Sequence, residues 1–342
     1  MPFSGWSGKS ETETGKPPAG QEETMIELKR DTLHFTFPEV HEDAKLEIHF
    51  QRTLRIPDDG GTYPLPPGLG NFPLRHVDDY AEKMSAAWLR RGGVFLPMYQ
   101  SEALWISFAG YYPFAVKVAT GKTDAVTGES WREDLHRNPQ NYLSIPEQPW
   151  LDGYCVEKGT IRQFVAMPLG SGYTVEEQIT GDAEHGGIQI MAYPLKRKFY
   201  EPPSFLPRAT PYLADMLCEE AVGASMGLAP GGKMRQEIYE DDRDLSQWDT
   251  KHSSRCFVHI ANSLGWRAIT GEDPPTTPLT SKEYTDSGMP WFDYYGGDKV
   301  AVKGSSSLGK LKSVFQMGKE KGESPLPENV SVNPGNVVTL GS

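Results

Sequence analysis

Cysteine is scarce in this chain. Only Cys155, Cys218 and Cys256 occur in 342 residues. They are odd in number, far apart and form no C-x-x-C pair, which argues against a disulfide framework, a cysteine zinc site and a dithiol redox motif. Such usage suits a reducing compartment, and a cytoplasmic location is expected. Long hydrophobic runs are missing too. The most apolar stretch, residues 103–116, is interrupted by Gly110, Tyr111, Tyr112 and Pro113, and falls short of the roughly 20 residues of a membrane-spanning helix. The opening residues lack the apolar stretch of a secretory signal. A soluble protein without a membrane span is expected.

Positive charge is in deficit. Lys and Arg number 34 against 46 Asp and Glu, a net charge of −12, and no basic run offsets that field locally. Phosphate backbones are repelled by such a surface, so nucleic acid is not an expected partner. Lys299, Lys303, Lys310, Lys312, Lys319 and Lys321 are too dispersed for a binding patch and read as a solvated helix face.

What is present is the composition of a folded chain. Hydrophobic residues at 37% supply a core, and 28 prolines with 35 glycines imply many turns and short elements. Residues 1–24 are polar and without periodicity, and read as a disordered lead. A β-rich domain with one helix is expected over 25–203. In it Leu46, Ile48 and Phe50 alternate with polar residues as in a half-buried strand. Residues 57–70 read as a loop. Val77, Tyr80, Ala81, Met84 and Trp88 predict a helix that stops at Gly92-Gly93. Strands are predicted at 104–108, 113–119, 153–157, 160–167 and 187–193.

A mixed helix and strand region packed on that domain is expected over 204–317. Thr210 and Pro211 open a predicted helix that carries Leu213, Met216, Leu217, Ala221 and Ala224 on one face. Strands are expected at 257–260 and 266–269, a capped short helix at Thr280/Glu283, and a last helix through Leu308, Leu311 and Phe315. From Gly318 to 342 the chain reads as a flexible tail. The fold class is α+β: a β-rich central unit (an antiparallel sheet, a sandwich or a barrel-like form) with a few amphipathic helices.

Two catalytic patterns overlap at 223–233. Gly223, Ser225 and Gly227 match the nucleophile elbow G-x-S-x-G, for which His259, or Asp249 with His252, would follow in chain order. Gly227, Gly232 and Lys233 match G-x-x-x-x-G-K, although Met234 stands where a magnesium-binding Ser or Thr belongs. Both patterns need a strand leading into the turn, whereas 213–222 has helical periodicity. The segment therefore reads as a helix end and a small-residue bend. Gly231, Gly232 and Lys233 remain a candidate anion cradle, and Ser225 with His259 a candidate nucleophile and base.

Glu176, Glu177, Asp182, Glu184 and His185 gather possible ligands within ten residues, with Asp182, Glu184 and His185 as the candidate metal set. No H-x-H, H-E-x-x-H or EF-hand spacing supports them, and a polar loop is the competing reading. The acidic stretch 237–249 reads as a solvated turn. Three aromatic groups (Trp105 through Phe114, Trp150 with Tyr154, and Trp291 through Tyr295) could pack in the core or stack on sugar rings.

Four segments, Arg-Ile-Pro-Asp-Asp-Gly (55–60), Leu-Pro-Met-Tyr-Gln-Ser-Glu-Ala-Leu-Trp (96–105), Pro-Glu-Gln-Pro-Trp-Leu-Asp-Gly (146–153) and Ala-Pro-Gly-Gly-Lys-Met-Arg-Gln-Glu-Ile-Tyr (229–239), carry a resemblance over residues 28–317. The chain resembles an uncharacterised microbial protein family with no established activity, so the resemblance implies no catalytic residue and no cofactor. Two readings of function follow. One is a non-enzymatic binding or assembly module with a small-molecule or protein partner, compatible with a homo-oligomer. The other is a hydrolase, using Ser225 or a metal near Glu184 and His185.

Overall fold

The computed structural model describes residues 25–202, 225–275, 277–295, 299–324 and 329–341. The expected α+β, β-rich architecture is present, as one large and mostly antiparallel sheet with a few short helices. The expected lead through residue 24 and the helix expected after Thr210 lie outside the described residues.

Strands β1 (Met25–Lys29) and β2 (Thr32–Thr36) form a hairpin. Its turn residues Arg30 and Asp31 have φ of 48° and 60°, the left-handed pair whose twist matches that of the strands. Along β3 (Lys45–Thr53) the expected alternation holds, with Leu46, Ile48 and Phe50 buried and Lys45 and Glu47 exposed. The stretch expected as a loop also holds β4 (Thr62–Tyr63) and β5 (Gly68–Asn71). Glycine-rich composition hid them, since edge pairing asks only for backbone groups.

After β6 (Arg75–His76) the expected helix is broken in two. A 3-10 segment, Asp78–Lys83, ends at an extended Met84, and α1 (Ala86–Arg91) starts again behind Ser85. The Ser85 hydroxyl accepts the Trp88 amide, so a cap inside the apolar stripe divides it. Gly92 and Gly93 end α1 with φ of 61° and 84°, as expected.

Next come β7 (Val94–Met98), β8 (Ala103–Ala109), β9 (Phe114–Thr120), β10 (Thr123–Asp124), β11 (Leu143–Ile145), β12 (Trp150–Leu151), β13 (Gly153–Glu157) and β14 (Thr160–Pro168). Helix α2 (Val175–Thr180), with a Thr174/Glu177 capping box, precedes β15 (Ile188–Pro194). The strands predicted in this region all appear within one residue of their expected bounds.

The segment that reads as a helix end and bend is instead a strand, β16 (Ser225–Arg235). Its small residues serve close packing rather than bending. A Cβ on Gly227 would lie 2.7 Å from Thr174 Cγ2, and one on Gly232 would lie 2.4 Å from the Pro57 carbonyl oxygen. Arg162 pairs with Lys233 but Phe164 with Pro230, so Gly231 and Gly232 form a bulge, a place where a strand tolerates proline. After β17 (Ser254–Asn262), the strand expected at 266–269 is part of α3 (Ser263–Thr270). Four residues, Trp266 to Ile269, are too few to show a period, and the Asn262 side chain, accepting the Gly265 amide, decides for helix.

Helix α4 (Ser281–Asp286) opens on the expected Thr280/Glu283 capping box, followed by β18 (Trp291–Tyr295). The expected last helix is two, α5 (Ser306–Gly309) and α6 (Val314–Glu320), each started by its own serine cap. Strand β19 (Val337–Gly341), within the expected flexible tail, pairs in parallel with β18.

Antiparallel pairings link the strands in the order β2, β3, β8, β14, β16, β17, β15, β9. Leu33 of β2 and Val116 of β9, at opposite ends of that order, belong to one core, so the sheet curls around it. Two buried carboxylates brace the surroundings. Glu102 pairs with Arg52 at 3.1 Å, and burial pushes the Glu102 carboxyl up to about 7. Asp241, in the stretch expected as a solvated turn, is buried and accepts from Tyr142 Oη (2.8 Å) and Trp248 Nε1 (2.9 Å). No helix of the described residues is long and apolar enough to cross a membrane.

Candidate functional site

Ser225 opens β16 opposite Ala261 of β17, and its carbonyl accepts the Leu169 amide at 3.0 Å. A nucleophile elbow needs a tight turn into a helix, and the extended strand removes that turn. His259 is an interior residue. Its ring lies between Trp88 and Phe257, with centroids at 4.5 and 4.4 Å, and Nε2 donates to the Gly92 carbonyl at 3.1 Å. Burial pushes its pKa down to about 4. His252 bonds Asp249 at 3.0 Å within a local turn. Ser225 and His259 therefore do not form the expected pair.

The anion cradle expected at Gly231, Gly232 and Lys233 is not formed either. Gly231 and Gly232 lie in the bulge, packed against Gln163 and Val165 and against the Pro57 carbonyl oxygen, which leaves no open space beside them for an ion. The Gly231 carbonyl accepts Arg162 Nη1, and the Lys233 ammonium is 3.4 Å from the Glu157 carboxylate.

A cradle of that kind exists elsewhere, and the protein fills it with its own side chain. Gly186 and Gly187 have φ of 55° and 56° and turn the loop after α2 inward. The buried Glu176 carboxylate accepts the amides of Glu184 (3.1 Å), His185 (2.8 Å) and Gly186 (2.7 Å), and lies 3.1 Å from His185 Nδ1. Arg91 bonds the Glu184 and His185 carbonyls from outside. Glu177 is spent on the capping box, and Asp182 and Glu184 point to solvent. Among the described residues no three metal-ligating side chains converge, so Asp182, Glu184 and His185 do not assemble a cation site.

The structure instead joins residues that the sequence scattered. Trp150 of β12 meets Tyr294 of β18 with ring centroids 4.7 Å apart and planes at 77°. Trp105 of β8 stands behind Trp150 at 6.4 Å, also edge-on. These rings come from the three aromatic groups noted in the sequence. Comparison with family models, curated proteins and solved structures finds no match. The cleft's own geometry has to carry its reading.

A shallow cleft of about 20 Å³ lies beside Trp150 and Tyr294, lined also by Leu65, Gln148, Gln236 and Glu237. Its floor is a closed set of hydrogen bonds. Gln236 Nε2 donates to Asp152 Oδ2 (2.8 Å), while Gln236 Oε1 accepts the Asp152 amide (3.0 Å). Gln148 Nε2 donates to the Trp150 carbonyl (3.0 Å), and Gln148 Oε1 accepts the Tyr239 amide (3.0 Å). Asp152 is fully enclosed, and burial pushes its carboxyl up to about 7. The rim carries charge of both signs. Arg235 grips Asp293 through two bonds of 2.9 and 3.0 Å, Glu237 is exposed, and Lys299 lies 5.2 Å over the Tyr239 ring. Sequence reasoning noted the rings but not Gln148 or Gln236, since amides carry no pattern.

Proposed function

We propose that this chain is a binding module whose contact surface is the aromatic flank formed by Trp150 and Tyr294, between β12, the end of β16 and β18. The observation that carries the reading is the contrast between floor and wall. Gln148, Gln236 and Asp152 spend their hydrogen bonds on each other and on the backbone, so they hold shape. What faces outward is the half-buried Trp150 and Tyr294. A preformed concave surface with aromatic walls and a few polar groups is the usual form of a small-molecule site. Rigid rings also lose little conformational freedom on binding. At about 20 Å³ the cleft itself has room for little more than one water, so a ligand would rest on the exposed flank of the two rings.

A hydrolase has less support. Its serine lies in a strand, its histidine is stacked in the interior, and its metal loop is closed on Glu176. Ligand-observed NMR on the wild type and on Trp150→Ala tests the binding reading, with a panel of monosaccharides, nucleosides and aromatic amino acids. At least one class should bind the wild type and lose about tenfold or more in the variant. Binding that ignores Trp150, or no binding by any class, sinks it.

A further inference from the structure

We propose that the outer edge of β19 is where a second copy of this chain pairs, strand to antiparallel strand, to form a two-fold dimer. The first observation is an open edge. β19 pairs with β18 on one side, and among the described residues no strand lies on the other. The Trp291 amide donates to the Asn336 carbonyl at 2.8 Å. In a parallel ladder that parity gives the backbone groups of Asn336, Val338 and Leu340 to β18, and turns those of Val337, Thr339 and Gly341 outward. Residues 335–340 are all exposed, and Val337, Val338 and Leu340 keep 40%, 40% and 44% of their surface open. Proteins usually blunt such an edge with lysine, proline or a bulge, and residues 337–341 have none of these.

The second observation is self-complementarity. Antiparallel pairing centred on Thr339 sets Thr339 opposite its own copy, Val337 opposite the copy's Gly341, and Val338 opposite the copy's Leu340. The two Thr339 residues, whose backbone groups point outward, exchange both of their bonds as a hydrogen-bonded pair. On one face Val338 and Leu340 of the two copies meet as an apolar group of four, the kind of cross-strand contact that stabilises a sheet. On the other face each Val337 lies against a glycine, which leaves it room. The same patch serves both partners, so the contact closes at two copies. On the far side of β18, Phe292 already exchanges two bonds with Leu65, of 2.7 and 2.9 Å, which stops the joined sheet from growing outward.

The third observation is charge. Two copies of a chain with a net charge of −12 repel one another over most approaches. Residues 329–342 contain no Asp, Glu, Lys or Arg, so like-charged copies can meet there without bringing charged groups together. The same edge has nothing to select a basic or an acidic partner. A five-residue edge is small beside the roughly 1,200–2,000 Å² of a standard interface, so the dimer is weak and depends on concentration.

Sedimentation velocity on the full chain, from about 5 to 500 μM, should show monomer passing into dimer. Added salt should tighten the association, because screening lifts the repulsion between the copies. Thr339→Pro removes an outward N–H while sparing the bonds to β18, and should weaken dimerisation about tenfold or more. Val338→Lys and Leu340→Glu, at exposed positions, should each weaken it similarly without lowering the melting temperature, which covers the case in which Thr339→Pro fails to fold. An equal mixture of Val338→Lys and Leu340→Glu should recover the dimer. The register sets the introduced ammonium of one chain opposite the introduced carboxylate of the other, while the remaining Leu340 and Val338 still meet. A wild type that stays monomeric up to about 500 μM leaves the edge to another partner and overturns the proposal. A dimer untouched by all three variants overturns it too, since another face then holds the copies together. A mixture that stays monomeric overturns the antiparallel register on which the proposal rests.

Discussion

The imidazole of His259 lies flat on the indole of Trp88, with centroids 4.5 Å apart and planes 19° apart, and Phe257 covers its other face. A ring held this way resists protonation, because the charge would be cut off from water. Its pKa falls from 6.5 to about 4 on folding. The unfolded chain therefore takes the proton first. Stability should be unaffected above pH 6.5 and decline as pH falls from there to about 4, by at most roughly 3 kcal/mol. His259→Phe, which keeps the stack, should flatten that decline. Urea midpoints of both proteins at pH 7.5 and 4.5 check it, and parallel slopes would refute it.

Asp152 makes the opposite prediction. Its carboxyl is raised from 3.8 to about 7, so the folded state holds a proton that the unfolded chain releases. Stability from this site is present below about pH 4 and is lost as pH rises towards 7, by a sum on the order of 2–4 kcal/mol. Asp152→Asn cannot ionise, and its side-chain oxygen can still accept from Gln236. The variant should match the wild type at about pH 3.5 and exceed it in urea midpoint at pH 8.5. Because the Asp152 and His259 windows overlap with opposite sign, each is read as the difference between a variant and the wild type.

Glu176 holds the loop after α2 with three backbone amides and one imidazole on a single buried carboxylate. Glu176→Ala strands those donors and should cost about 3–5 kcal/mol. Glu176→Gln keeps one acceptor and should cost less. Hydrogen exchange should locate the loosening at residues 184–187 in both variants. Uniform loss of protection throughout the sheet would contradict a local role.

Gly93 is needed for close approach. Its φ is 84°, and a Cβ there would stand 2.1 Å from the Phe257 carbonyl oxygen, across the parallel pairing of β7 with β17. Gly93→Ala should cost more than about 3 kcal/mol or prevent folding. Gly60, with φ of 90° and open space around it, is the control, and Gly60→Ala should cost only about 1 kcal/mol. Thermal melts of the two variants separate packing from backbone conformation.

The five strands predicted between 94 and 200 were legible because alternation and turn residues agree there, with Gly121 and Lys122, for example, closing β9 with φ of 52° and 64°, whereas β7, β10, β11 and β12 were not predicted. The capping box at Thr280 was legible for the same reason, a fixed spacing with a fixed bond. β16 was not. Gly227, Gly231 and Gly232 answer to Thr174, Val165 and Pro57, partners that sequence order does not reveal, and so they read as a bend. The helix predicted straight through Ser85 and the solvated turn predicted around Asp241 failed likewise, since a cap or a buried carboxylate is defined by its neighbours. Of the candidate site, the rings were visible one by one. Their meeting depends on β12 and β18 coming together, and no periodicity reports that.

The order of strands in the sheet also bears on inheritance. β16 and β17 lie between β14 and β15, so the later part of the chain is interleaved with the earlier part. A recombination breakpoint near residue 203 would leave β14 and β15 each with a raw hydrogen-bonding edge, and neither piece could be passed on as a working cassette. Exchange between relatives should therefore spare this stretch whole, and variation should enter through the rim and the turns.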